Sequence, residues 1–350
     1  GPVKTIDCNG HALYTPTPDT ANSSWWINST TTSVTGAWNY SLGSGSTVAI
    51  IDQNFGLIDK YPDFKNRILF SDKYSTISIY DDKAFAPTGE SPGELINRPY
   101  HGLGISELVG SEIDDFYGTA GIAPRVKIIP MVKSSEFSSL TTRISEAISE
   151  NVDVINISSG RLLDYWDEFF RKPGQADDTS VTIQGTKVWS PEVKSLNDAI
   201  KAATDKKTIV IVAAGNDDLD FPDINIPGVL DDVISVGAYE RGPVPESIVR
   251  ADFYPKSYQG NILIASNYGG SVDIWAPGDD IPVWIYRNQG KIQDNNGGYS
   301  LIDDFTPYVC PERFNGTSFA APIVSGVVAL LKSWNKNLTT SEVVNILQNS

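Results

Sequence analysis

Four polar residues, Asp52, His101, Asn216 and Ser318, stand where nucleophilic acyl chemistry would need them. His101 is one of only two histidines; the other, His11, lies in a polar N-terminal stretch. In Tyr100-His-Gly-Leu-Gly-Ile-Ser-Glu-Leu-Val-Gly110 small residues flank the imidazole and helical spacing follows. A histidine opening a buried helix is held firmly, and its ordinary pKa near neutrality suits a general base. Ser318 lies in Phe314-Asn-Gly-Thr-Ser-Phe-Ala-Ala-Pro-Ile-Val-Ser-Gly-Val-Val-Ala-Leu-Leu331. Gly316 permits a tight turn. The run after Ser318 is apolar on every side, which predicts a buried helix, and Pro322 is close enough to its start to be tolerated. Ser318 then sits at a helix N-terminus, where free N–H groups and the dipole favour the negative charge of an oxyanion. A serine used only as an N-cap looks the same locally.

Asp52 closes an apolar strand. It is either a turn residue or the group that accepts Nδ1–H from His101 and fixes its tautomer. Asn216, after Val212-Ala-Ala-Gly215, is either part of an Asn-Asp turn with Asp217 or an amide donor to an oxyanion. Singly each residue has a bland explanation. Together they run Asp, His, Asn, Ser, and a histidine upstream of the serine excludes the Ser, Asp, His order of the α/β-hydrolases.

Parallel strands should position these groups. Thr47–Ile51, Val126–Ile129, Val152–Ile157, Thr208–Ala213 and Val233–Val236 are short apolar runs. Between them, Leu140–Ile148 (Ile144 and Ala147 on one face) and Val193–Ala203 (Leu196, Ala199, Ile200) have helical spacing. Such alternation predicts an α/β fold, a mostly parallel sheet with helices on both faces. Its reactive groups collect at the carboxyl ends of the strands. Asp52, Ser158 and Asn216 each follow a predicted strand and should share that edge. Residues 1–46 are read as a polar arm packed on a domain spanning 47–350. Surface insertions are expected near 73–98, 161–191 and 281–313.

Of 350 residues 40% are hydrophobic, enough for a substantial core. A net charge of -16 argues against nucleic acid or anionic lipid as partner. It serves solubility or attracts basic peptides or calcium. The most apolar stretch, Phe319–Leu331, is short and broken by Pro322 and Ser325, so no membrane insertion is expected. Cys8 and Cys310 form no C-x-x-C pair, which excludes a cysteine zinc site. Whether they pair with each other is left open by spacing. Sequons occur at Asn22, Asn28, Asn39, Asn156, Asn315 and Asn337. Gly1-Pro2 has the look of a cleaved-tag remnant, and a signal peptide or pro-segment is expected outside this chain.

From about Gly45 onward the chain resembles the subtilisin-like serine peptidases, the subtilases. Asn315-Gly-Thr-Ser-Phe-Ala-Ala-Pro-Ile-Val-Ser-Gly326 is similar to their nucleophile motif, Val48-Ala-Ile-Ile-Asp52 to their aspartate strand and His101-Gly102 to the start of their histidine helix. Gly121-Ile-Ala-Pro124 and Asp153-Val-Ile-Asn-Ile-Ser158 resemble their central strands. Ala213-Ala-Gly-Asn216 resembles the oxyanion asparagine, and Tyr268-Gly with Asp273-Ile-Trp-Ala-Pro-Gly278 a later turn.

The resemblance implies a subtilisin-like three-layer fold and a secreted endopeptidase working through an acyl-enzyme on Ser318. In it His101 takes the proton, Asp52 orients His101, and Asn216 with the Ser318 N–H holds the oxyanion. It further implies that Ser158, Ser159 and Gly160 pair with a peptide or protein substrate and that Ala213, Ala214 and Gly215 form part of the S1 wall. No cofactor is required for catalysis; structural calcium is frequent in the family, but no loop here has clear ligand spacing. The family's Ser/Thr-Gly after the aspartate is Gln53-Asn54 here, where Gln53 could still donate to the carboxylate. Its His-Gly-Thr-His is His101-Gly-Leu-Gly104, and Ile323 replaces a common histidine. The aromatic-rich 161–191 insertion is expected to wall the cleft and narrow specificity. The competing functions are an inactive binding protein on the same fold and an acyl transferase or ester hydrolase.

Overall fold

Short runs rich in Val and Ile form the strands of the largest sheet in the computed structural model. The structure describes Ile27 and residues 34–53, 55, 58, 62–64, 66–69, 101–113, 119–162, 180–183, 185–218, 225–240, 266–287, 291–293, 299–301 and 308–350. The strands are β1 (Thr47–Asp52), β2 (Lys127–Val132), β3 (Val154–Ile157), β4 (Ile209–Ala213), β5 (Val233–Tyr239) and β6 (Ile274–Pro277). They lie in the spatial order β6-β5-β4-β3-β1-β2, and every neighbouring pair is parallel.

Alternation along β1 builds two cores. Val48 and Ile50 face α1 (His101–Gly110) and α4 (Thr317–Trp334), with Leu108, Ala320 and Val324 in the same cluster. Ala49 and Ile51 face α2 (Phe137–Ser149) and α3 (Pro191–Asp205). The helices follow the expected periodicity: α2 buries Phe137, Leu140, Ile144 and Ala147, and α3 buries Val193, Leu196, Ala199, Ile200 and Ala203. Ser190 caps α3 by accepting the Val193 N–H at 3.3 Å, with Pro191 at the first helical position. Helices on both faces of a parallel sheet make the expected three-layer α/β architecture. The C-terminal α5 (Thr340–Gln348) begins with a reciprocal capping box between Thr339 and Glu342.

Three boundaries differ from expectation. β2 continues through Pro130 to Val132, because it is the edge strand of the sheet, where proline is tolerated. Ile274–Pro277, expected as a turn, pairs in parallel with β5 as the sixth strand. The 18-residue α4 outruns the apolar stretch Phe319–Leu331 and is, by length and composition, apolar enough to cross a bilayer. It is instead the central core helix, with Phe319, Ile323, Val324 and Val328 all buried.

Lys73–Arg98, Cys8 and residues 163–179 lie outside the described residues. Of the second insertion, Ser180–Ile183 pairs antiparallel with Thr186–Trp189, and its Ile183 and Val188 join the α2/α3 core. The third insertion is bounded by Ile281–Arg287 paired antiparallel with Tyr308–Phe314. In the N-terminal region Ile27 and Val34 join the α1/α4 core, and Trp38 Nε1 donates to the Ile122 carbonyl at 2.8 Å.

Candidate active site

The carboxyl ends of β1, β3 and β4 open on one cleft of ≈ 530 Å³, a volume that suits a bound ligand. Asp52, His101, Asn216 and Ser318 all line it, as do Ser158, Ser159, Gly160, Ala213 and Gly215. Residues separated by 266 positions at the extremes (52 to 318) therefore share one concavity. Ala214 does not line it. Its side chain is fully buried and its N–H donates to the Val236 carbonyl at 2.9 Å.

The start of α1 is tied to the end of β1 by the Gly102 N–H, which donates to the Gln53 carbonyl at 2.7 Å. A Cβ on Gly102 would stand 2.7 Å from that oxygen and 2.9 Å from the Phe55 ring, so this approach needs glycine. Gly104 has an equally close neighbour: a Cβ there would lie 2.8 Å from Val283 Cγ1. The anchored helix aims His101 at the strand end, where Nδ1–H donates to Asp52 Oδ1 at 2.8 Å. The Gln53 backbone N–H donates to the same oxygen at 2.7 Å; the contact expected of its side chain is made by its main chain. Asp52 is 3% exposed, while the His101 side chain is 30% exposed and meets the Phe319 ring edge-on at 5.5 Å.

Burial alone would pull the His101 pKa down. The Asp52 charge and hydrogen bond oppose it, Lys133 adds a smaller downward push, and the net position is above the ordinary 6.5. Lys133 was not singled out by the sequence. It directly follows β2, is 8% exposed and lines the cleft, and its N–H donates to the Asp52 carbonyl at 3.0 Å. Burial pushes its ammonium pKa down, and the Asp52 charge partly restores it. Asp52 Oδ2 is buried without a hydrogen-bond partner among the described residues.

Ser318 is the second residue of α4, after Gly316 at φ +139°. Its hydroxyl donates to the Ser158 carbonyl at 3.0 Å, and the Ser158 hydroxyl donates to the Ser318 carbonyl at 2.8 Å. Asn156 Nδ2 donates to Ser158 Oγ at 2.9 Å and Asn156 Oδ1 accepts from Ser325 Oγ at 2.8 Å. This buried chain fixes the N-terminal turns of α4 on β3, and it places the Asn156 sequon in the core. Of the three side chains expected to cooperate, Asp52 and His101 are joined directly; Ser318 is bonded to Ser158.

Asn216 is aligned by Thr317, the residue before Ser318. Thr317 N–H and Oγ1–H both donate to Asn216 Oδ1, at 2.9 and 2.8 Å, and Thr317 Oγ1 accepts the Gly215 N–H at 3.1 Å. With its oxygen held, the amide's Nδ2 is left as its donor end. The signal available in the sequence was a hydroxyl residue beside the serine, which is too common to assign a role. Among the described residues no group of three or more His, Cys, Asp or Glu side chains is placed to hold a metal ion.

Comparison with known proteins supplies a family for the chain that carries this cleft. The model of the subtilase family matches residues 43–350. An extracellular protease of Xanthomonas campestris pv. campestris is 25% identical over 97% of this chain and 53% of its own length. An intracellular serine protease of Paenibacillus polymyxa is 26% identical over 87% of this chain and 74% of its own length. The chain thus spans about half of the first relative. A solved protease structure from Pseudoalteromonas arctica superposes with a TM-score of 0.59 at 22% identity, covering 96% of this chain and 92% of that one.

Proposed function

The chain belongs to the subtilase family of subtilisin-like serine proteases, and from that premise we propose that it is an endopeptidase with Ser318 as nucleophile, His101 as general base and Asp52 as the group that orients it. The observation that carries this reading is the 2.8 Å Asp52–His101 hydrogen bond inside a cleft that Ser318 also lines.

In the proposed reaction Ser318 Oγ forms a bond to the substrate carbonyl carbon while His101 Nε2 takes its proton. The Asn216 amide and the Ser318 N–H at the start of α4 stabilise the oxyanion. The C–N bond then breaks, His101 hands its proton to the departing amine, and water repeats the sequence to release the acid. Before attack the Ser318 hydroxyl turns about its Cα–Cβ bond away from the Ser158 carbonyl. That exchanges one hydrogen bond of about 1 kcal/mol and is a fast rotamer change. The vacated carbonyl is then free to accept a substrate N–H, alongside Ser159 and Gly160. Ala213 and Gly215 face the substrate from the opposite wall.

The protein acts outside the cell, a reading supported by the name of the Xanthomonas relative, and loses a pro-segment first, as the family resemblance implies; peptidase activity in the medium rather than in cell lysate checks the location. Narrowed specificity is proposed as well. The described hairpin of the 161–191 insertion packs on the α2/α3 layer; deleting 163–179, which leaves that hairpin in place, should broaden the cleavage profile.

An inactive binding protein is the competing reading, favoured only by the Ser318–Ser158 bond, which would then be permanent. A fluorophosphonate probe separates the two. Labelling of Ser318 in folded protein, abolished in His101→Ala, is expected; folded protein that stays unlabelled would remove the endopeptidase reading.

A further inference from the structure

Asn225 lies between Gly160 and Gly215 in the cleft. It is 3% exposed yet lines the cleft. It belongs to the short strand Asn225–Ile226, paired antiparallel with Arg161–Leu162 directly after Gly160. Nδ2 donates to the Ala214 carbonyl at 3.0 Å, and Oδ1 is buried without a hydrogen-bond partner among the described residues. The amide touches both walls. A Cβ on Gly160 would stand 2.1 Å from Asn225 Oδ1, and one on Gly215 would stand 1.9 Å from Nδ2. The space that two glycines leave open is therefore filled by the protein's own side chain.

We infer that Asn225 sets substrate specificity: it floors the subsite for the residue whose carbonyl is attacked and restricts that residue to a small side chain, Gly, Ala or Ser. The inference rests on the endopeptidase reading. The side chain in question leaves from the atom next to the attacked carbonyl carbon, so it must enter the cleft beside Ser318. The Ser318 hydroxyl is 3.0 Å from the Ser158 carbonyl, and Thr317 bonds Asn216 and Gly215, so the entry lies between those two segments. A small side chain ends above the Asn225 amide. A leucine or phenylalanine has to displace an amide that is packed between two backbones and hydrogen-bonded to one of them, at the Ala214 carbonyl.

Truncating Asn225 leaves the Ala214 carbonyl paired, because Asn267 Nδ2 also donates to it at 2.9 Å. The test uses peptide–coumarin substrates that differ only in the residue before the scissile bond, with wild type, Asn225→Gly and Asn225→Ser. Wild type is expected to have a kcat/KM for Ala at least about tenfold above that for Phe or Leu, the scale of discrimination a pocket wall achieves. In Asn225→Gly the Phe/Ala ratio should rise by about tenfold or more, and in Asn225→Ser by less. A wild type that prefers Phe or Leu, or a folded variant with an unchanged ratio, overturns the inference. Should Asn225→Gly not fold, the wild-type profile and Asn225→Ser decide. Failure of fluorophosphonate to label folded wild type removes the endopeptidase reading and this inference with it, whereas labelling with an unaltered ratio removes the inference alone.

Discussion

Replacing Thr317 by valine keeps the shape of a side chain that is 1% exposed and deletes one hydroxyl. Two hydrogen bonds go with it: Oγ1–H to Asn216 Oδ1 at 2.8 Å and the Gly215 N–H to Oγ1 at 3.1 Å. Asn216 Oδ1 keeps the Thr317 N–H at 2.9 Å, so its amide loses one of two anchors and is not released. One neutral hydrogen bond is worth about 1 kcal/mol, which predicts a kcat lower by roughly fivefold. Removing the amide itself, in Asn216→Ala, should cost about 3 kcal/mol, or roughly a hundredfold, a magnitude carried over from subtilisin itself. KM should change little in either variant, since the oxyanion exists only beyond the ground state. Gly215 is half-buried at the cleft, so loss of its N–H partner should lower stability by about 1 kcal/mol in urea unfolding. Thr317→Ser, which restores the hydroxyl, should recover most of both losses. A Thr317→Val enzyme with unaltered kcat, or one as damaged as Asn216→Ala, would refute the positioning argument. So would a serine variant no better than valine.

The proposed base, His101, must be neutral to act, and its pKa is raised from 6.5, so the acid limb of kcat/KM should have its midpoint above about 6.5. Lys133→Met removes a charge that lowers the His101 pKa and should move this midpoint upward; a downward shift would contradict the assigned sign. The stability effect runs the other way: the His101–Asp52 pair should stabilise the fold fully below about pH 6.5 and lose that contribution as pH rises through the higher folded pKa, measurable as urea midpoints across pH. Asp52→Asn should lower kcat by on the order of 10⁴ while leaving the fold intact by circular dichroism. Leu196→Ala, at a fully buried site of α3, should cost about 2–5 kcal/mol in urea unfolding without altering the cleavage profile.

Local pattern made most of the scaffold legible. β1 and β3 to β5 were marked by β-branched runs, and α2 and α3 by apolar residues three and four apart. Edges were less clear. Pro130 looked like the end of β2 because proline breaks an interior strand, and only the sheet order puts β2 at the margin where it is allowed. Ile274–Pro277 is too short and too interrupted to be read as a strand until β5 lies beside it. Lys133 and Asn225 carried no local signature, and the hydroxyl of Thr317 beside Ser318 was too common to assign a role; each matters through groups that only the fold brings beside it.

The sequence by itself determined which residue types are present, their order along the chain, and the strand and helix ends on which Asp52, His101, Asn216 and Ser318 stand, because periodicity and backbone preference act over a few neighbours. Tertiary structure decided what those groups face: the Asp52 carboxylate for His101, the Ser158 carbonyl for Ser318, Thr317 for Asn216, and the Asn225 amide in the slot between Gly160 and Gly215. Hydrogen bonds and van der Waals contact fall off within a few ångströms. Which distant segments come that close is fixed by the packing of two cores on one sheet, and no local stretch of sequence contains it.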